Sequence, residues 1–166
     1  MRLPTTDMRL FMNKKIITII AVFIVVCAGC LVLFSKKVSD VTIERPFVTV
    51  HDKNIYVTLA RTPDEQRRGL SGMSALPEDE GMLFLFGEKQ RIGFWMKEMN
   101  FPIDIVWISG HTVVGIEKNI DPQIGLKEEE LKIYYPPEPA DTVLEINAGK
   151  ADEWGITIGN TTLFSE

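Results

Sequence analysis

Two carboxylates sit where a folded chain least tolerates charge. Asp104 lies within Phe101-Pro-Ile-Asp-Ile-Val-Trp107, and Glu145 within Val143-Leu-Glu-Ile146, each in a run that is otherwise apolar. Burying an ionised carboxylate costs several kcal/mol unless it is paired and hydrogen-bonded. Lys97, Lys150, turn amides or a bound ligand are the groups able to offset that cost. Facing one cleft, the two could also divide the work of general acid and general base, so Asp104 and Glu145 are the catalytic candidates. The competing structural reading is an ion pair, or a carboxylate accepting loop amides.

Trp95 and Lys97 form a second feature. If Phe94 to Lys97 is extended, Trp95 and Lys97 share one side while Phe94 and Met96 take the other. An aromatic ring beside a long cation can bed a sugar or a peptide, which makes Trp95, Lys97, Asp104 and Glu145 the candidate binding residues. The plainer alternative is core packing, with Lys97 reaching out to solvent. Met73, Met82, Met96 and Met99 offer thioethers to a soft metal, but irregular core filling is the expected role. No metal or cofactor is expected. His51 and His111 are the only histidines, each beside a polar turn, and no zinc spacing, Ser/His/Asp order, Gly-rich phosphate loop or EF-hand pattern occurs.

The elements that must position these residues read mostly as short strands. Phe47 to Val50 and Ile55 to Ala60 flank the polar turn His51-Asp52-Lys53-Asn54. Gly81 to Phe86, Ile103 to Ser109, Thr112 to Glu117, Leu131 to Tyr135, Thr142 to Asn147 and Thr157 to Phe164 follow. Each is rich in β-branched or aromatic residues and bounded by Gly, Pro, Asn or Asp. Ser109-Gly110-His111 reads as a second hairpin turn. Several apolar runs lack alternation, as expected of strands covered on both faces. One helix is well specified: Thr62 as cap, Pro63 at the first position, Glu65 completing a capping box, Arg67 and Arg68 in the last turn, Gly69 as the stop. A shorter helix is expected within Gly149 to Trp154. The fold class is mainly β, a β-sandwich or partly open barrel with one or two short helices.

Residues 35–166 carry 14 Lys/Arg against 22 Asp/Glu, a net of −8. That charge repels nucleic acid and anionic headgroups. The acidic runs Glu78-Asp79-Glu80 and Glu128-Glu129-Glu130 are expected to be solvated loops.

Ahead of this domain, Ile16 to Phe34 form a 19-residue run without a charged side chain. As a helix it spans roughly 28 Å, about the hydrocarbon thickness of a bilayer. Arg2, Arg9, Lys14 and Lys15 precede it, so the N-terminus is expected inside and the domain outside. The start could equally be Met12, with the same orientation. The expected organisation is a cytoplasmic segment (1–15), a single transmembrane anchor (16–34), a linker (35–44) and an extracytoplasmic domain (45–166). Two rivals to a permanent anchor are signal-peptide cleavage, for which Leu33-Phe34-Ser35-Lys36 offers no small-x-small site, and lipidation at Cys30 after Cys27-Ala28-Gly29. Both cysteines lie in the anchor, where they read as apolar filler, so the outer domain has no disulfide.

A further series runs through Arg61-Thr62-Pro63, Gly69-Leu70, Met73, Gly81-Met82-Leu83-Phe84, Phe94-Trp95-Met96-Lys97, Phe101-Pro102-Ile103-Asp104-Ile105 and Val143-Leu144-Glu145-Ile146 before Gly149. In order and spacing it resembles the domain of unknown function 192 family over roughly residues 45–163. The resemblance implies a compact, mainly-β, sandwich-like prokaryotic domain, often exported or anchored, and brings no activity, substrate or cofactor. Two departures stand out. Family members commonly carry Asn where Glu98 stands, and a Gly-Asp pair where this chain has Gly159-Asn160.

The leading expectation is a non-enzymatic binding or accessory module for an envelope protein or glycan. The alternatives are a carboxylate-based hydrolase or lyase acting on surface polysaccharide, and a structural subunit of a membrane assembly. An uncleaved, unlipidated anchor means that the chain extracted from membranes has the mass of its full sequence. Loss of residues 1–29 with added acyl mass would instead place the anchor at Cys30.

Overall fold

The computed structural model describes residues 19–27 and 45–165. They belong to two units, Met1–Ile43 and Glu44–Glu166. In the first unit, residues 19–27 are helical with exposed side chains. The rest of the expected anchor, the 1–15 segment, the 35–44 linker and Cys30 lie outside the described residues. No helix among the described residues is long and apolar enough to cross a membrane.

In the second unit, β1 (Phe47–Val50) and β2 (Lys53–Ala60) form the first expected hairpin. Helix α1 (Pro63–Arg68) follows, and β3 (Glu80–Gln90) returns parallel to β2. Parallel neighbours need a crossover, which α1 and the loop behind it supply. The start of α1 is closed as its sequence requires. The Thr62 hydroxyl accepts from the Glu65 N–H, and the Glu65 carboxylate accepts from the N–H groups of Arg61 and Thr62 at 2.9 Å each. Next come β4 (Phe94–Trp95), the hairpin β5 (Ile103–Ser109) and β6 (Thr112–Ile120), and β7 (Ile133–Tyr134). They are followed by β8 (Ala140–Asn147), helix α2 (Lys150–Glu153) and β9 (Thr162–Ser165).

Seven strands share one sheet in the order β6-β5-β8-β3-β2-β1-β9, and β4 pairs with β7 apart from it. The sheet curls until its two ends meet. Thr112 bridges Thr161, the Val113 N–H donates to the Asn160 carbonyl at 2.9 Å, and the Thr162 N–H donates to the His111 carbonyl at 2.8 Å. Of the two architectures expected, the partly open barrel is therefore the one formed. The expected strand over Thr157 to Phe164 is shorter at its start, because the Thr157 N–H donates to the Asn160 side-chain oxygen and makes a turn there.

Curling gives the sheet an inside and an outside, and both are buried along β3, β5 and β8. Val48, Ile55, Leu83, Val106, Leu144 and Ile146 fill the interior. Phe84, Ile103, Ile105, Trp107 and Val143 cover the outer face, under a layer holding Leu70, Phe94, Met96 and Met99. Burial on both faces is why these strands read as unbroken apolar runs.

Asp104 is on the interior side, fully buried. Its Oδ1 accepts from the Asn119 N–H at 2.7 Å and its Oδ2 from the Ala151 N–H at 2.9 Å. It therefore ties the end of β6 and the first turn of α2 to β5. In the run Glu78-Asp79-Glu80 the first two residues are an exposed turn, as expected, and Glu80 opens β3. The run's three carboxylates reach Lys150 at 2.8 Å, Lys53 at 3.0 Å and Arg45 at 2.6 Å, so the run fastens three separate segments. Asp104→Ala strands two buried amides and should lower unfolding stability by about 2–4 kcal/mol, read from urea denaturation. A loss under 1 kcal/mol would show that the amides find other partners.

Candidate functional site

Next to Asp104 in the ladder lies the second buried carboxylate, on the opposite face. In the β5–β8 register Asp104 stands opposite Ile146, and Ile105 opposite Glu145. Successive residues alternate faces, so Asp104 points inward with Ile146 and Glu145 outward with Ile105. The shared cleft required of an acid–base pair is therefore not formed. Asp104 is a structural anchor, as the plainer reading had it.

Glu145 is different. Its residue is 5% exposed, and no hydrogen bond or ion pair reaches its carboxyl among the described residues. Lys150, one offset expected from the sequence, is held instead by Glu78 and Glu153 at 2.8 Å each. Burial alone pushes the Glu145 carboxyl up from 4.5 to about 8. Holding the proton at pH 7 costs roughly 3 kcal/mol, at about 1.4 kcal/mol per unit between the ordinary pKa of 4.5 and that pH. An unpaired buried anion would cost more than that, so burial favours the protonated form at neutral pH, a carboxylic acid that can donate one hydrogen bond and accept others.

The carboxyl opens onto a cavity of about 300 Å³, near the lower limit of ligand pockets. The end of α1 and the turn after it form one wall, with Gly69 and Leu70 over Glu145. Gly69 has φ +47, and a Cβ there would stand 3.3 Å from the Phe84 ring and 4.0 Å from Glu145 Oε2. Only glycine brings the backbone this close in that conformation. Phe84 and Phe94 pack edge to face with centroids 5.1 Å apart, and Phe86 meets Phe94 at 6.4 Å. Trp95, on β4, closes the rim, and the exposed side chains of Arg67 and Arg68 stand at the mouth.

Trp95 and Lys97 do lie together, with the Lys97 Nζ 5.8 Å from the Trp95 ring centroid, and Phe94 and Met96 are buried on the other side. Lys97 does not line the Glu145 cavity. Its Nζ donates to Glu128 at 2.6 Å, which raises its pKa, and it faces an adjoining groove lined also by Asp64, Glu98 and Trp95. Of the four binding candidates, then, Trp95 and Glu145 share one cavity, Lys97 stands beside it, and Asp104 is on the other face. Sequence reasoning missed Phe84, Phe86, Arg67 and Arg68 as site residues. The Arg pair read only as helix-end charge, and β4 was too short to signal itself.

Both departures from the family pattern are turn positions. Glu98 has φ +55, and its carbonyl accepts from the Gly72 N–H at 2.9 Å. Asn enters that left-handed region more readily than most residues, so an Asn here would suit the same backbone. Asn160 caps the Thr157 turn with its side-chain oxygen, at 2.7 Å, a task Asp performs equally. Neither change touches the Glu145 cavity.

A half-closed, mainly-β domain with one buried carboxylic acid facing an aromatic cavity is the class of molecule these features define. Residues 47–164 match the family described as domain of unknown function 192, an uncharacterised group, and the chain belongs to it. Two solved structures are similar. One is a protein of unknown function from Novosphingobium aromaticivorans, 31% identical, TM-score 0.64, covering 70% of this chain and 83% of its own. The other is described as a putative transcription regulator from Sinorhizobium meliloti, 30% identical, TM-score 0.64, covering 73% of this chain and 92% of its own. No curated protein matches the chain.

A carboxyl that binds its proton more tightly folded than unfolded contributes most at low pH, and that contribution is lost as pH rises from its ordinary range toward about 8. Urea-denaturation stability of the natural chain should therefore fall by about 1.4 kcal/mol per pH unit across that window, relative to Glu145→Gln. Parallel profiles for the two proteins would mean that Glu145 is ionised and partnered.

Proposed function

We propose that this domain is a binding module, displayed on the outer side of a membrane by the helix within residues 16–34, whose ligand enters the Glu145 cavity. The observation that carries the reading is the unpartnered Glu145 carboxyl at the floor of that cavity. Asp104 is satisfied by two backbone amides, whereas the Glu145 carboxyl keeps its hydrogen-bonding capacity facing a space of ligand size. The uncharged run and the helical residues 19–27 support the anchor.

The lining speaks to what enters. Phe84, Phe86, Ile92, Phe94, Leu70 and Met99 offer apolar surface. Gln66 spends one amide hydrogen bond on the Leu85 carbonyl at 2.8 Å, so few polar groups remain free. Such walls suit an aromatic or branched aliphatic group, free or carried by an envelope protein or glycan, better than a bare sugar ring. The polysaccharide hydrolase or lyase reading is weaker, because its second carboxylate, Asp104, faces away.

A photoreactive amino acid replacing Trp95 in the full chain should trap the ligand in intact cells, while the same group replacing Lys118 on β6 should not. With the group at position 95, Lys97→Ala should change capture by less than about twofold. Equal adducts at positions 95 and 118 would remove the cavity as the binding site.

A further inference from the structure

The two ends of the cavity differ in a way that selects a ligand. At the inner end Glu145 is unpartnered, and burial favours its protonated form. At the mouth stand Arg67 and Arg68. In a domain of net negative charge Arg45, Lys53, Lys97, Lys118 and Lys150 each hold a carboxylate. The guanidinium groups of Arg67 and Arg68 have no hydrogen bond or ion pair among the described residues. Glu65 feels the charge of Arg68, but its carboxylate is committed to the cap of α1.

The carboxylates nearby make no direct contact with the pair. Arg67 and Arg68 also line the adjoining groove with Asp64, Lys97, Glu98 and Glu128, where Lys97 and Glu128 hold each other and, among the described residues, no carboxylate forms an ion pair with either guanidinium. Nor do the arginines serve Glu145, whose raised pKa has burial as its cause, with no relief from a neighbouring cation. Their fork geometry suits a carboxylate or phosphate approaching from solvent.

Resting on the reading of the cavity as a ligand site, we propose that its ligand is a small organic anion bound end-on. The anionic head meets Arg67 and Arg68 at the mouth, an aromatic or branched aliphatic body lies among Phe84, Phe94 and Leu70, and an uncharged hydroxyl or carbonyl at the far end exchanges a hydrogen bond with Glu145. A cationic head on the same body meets two like charges at the rim and is rejected.

Three probes of one shape test this on the full-length chain in nanodiscs at pH 7 by isothermal titration: 3-(4-hydroxyphenyl)propionate, tyramine and 4-ethylphenol. The anion should bind at least about tenfold tighter than the amine, with the neutral phenol between them. Arg67→Gln with Arg68→Gln should bring the anion to the level of the phenol and leave the phenol unchanged. Both side chains are exposed and unpaired, so the fold survives their loss. Tyramine binding as tightly as the anion overturns the anionic class while the cavity reading stands. An anion preference that persists in the double variant overturns the role of the arginines. Failure of all three probes to bind, in a chain whose circular dichroism is that of a folded domain, overturns both the class and the cavity reading.

Discussion

A strand buried on both faces has to be apolar at almost every position, because a polar atom placed there loses water and must find a replacement. β8 keeps that rule from Val143 to Ile146 except at Glu145. The rest of the outer layer follows from accommodating that one carboxyl. The turn after α1 has to approach it, which requires glycine at position 69. Phe84, Phe94 and Trp95 surround a space where another side chain would otherwise complete the core. Burial pushes the carboxyl's pKa up to about 8, with no neighbouring cation among the described residues to offset it.

Asp104 makes the comparison instructive. It lies one strand away, as deeply buried, and is fully satisfied by the amides of Asn119 and Ala151. The same chemical group is thus a fastener on one face of the sheet and an open valence on the other. Backbone amides are available where a strand end meets the first turn of a helix. Among the described residues none donates to the Glu145 carboxyl on the outer face of the sheet, where the neighbours across the ladder are Met82 and Ile105.

Much of this fold was legible in the residues. Thr62, Pro63, Glu65 and Gly69 spell out α1, and the β5–β6 hairpin is marked by its turn glycine and β-branched flanks. Both carboxylates stood out as anomalies because charge in an apolar run is costly wherever the run folds. Their opposite orientations stayed hidden, because face is assigned by alternation and a strand covered on both sides has none to read. Nor could β4 be recognised, since two residues pair only because β7 reaches them from far along the chain. Arg67 and Arg68 were correctly placed at a helix end, but what a helix end overlooks depends on tertiary packing. Glu98 shows the converse, a position beside Lys97 whose observed peculiarity is a left-handed backbone angle, φ +55.

The seam where Thr112 meets Thr161 carries one more consequence. An open sheet exposes unpaired strand borders that can zip onto those of a neighbouring copy. Here the opening of β6 and the approach to β9 saturate one another, and beyond Val113 β6 presents Glu117, Lys118 and Asn119 to water. The seam covers the start of β6, and the charged Glu117 and Lys118 blunt the border that continues past it, so curl and charge together discourage edge-to-edge pairing of copies.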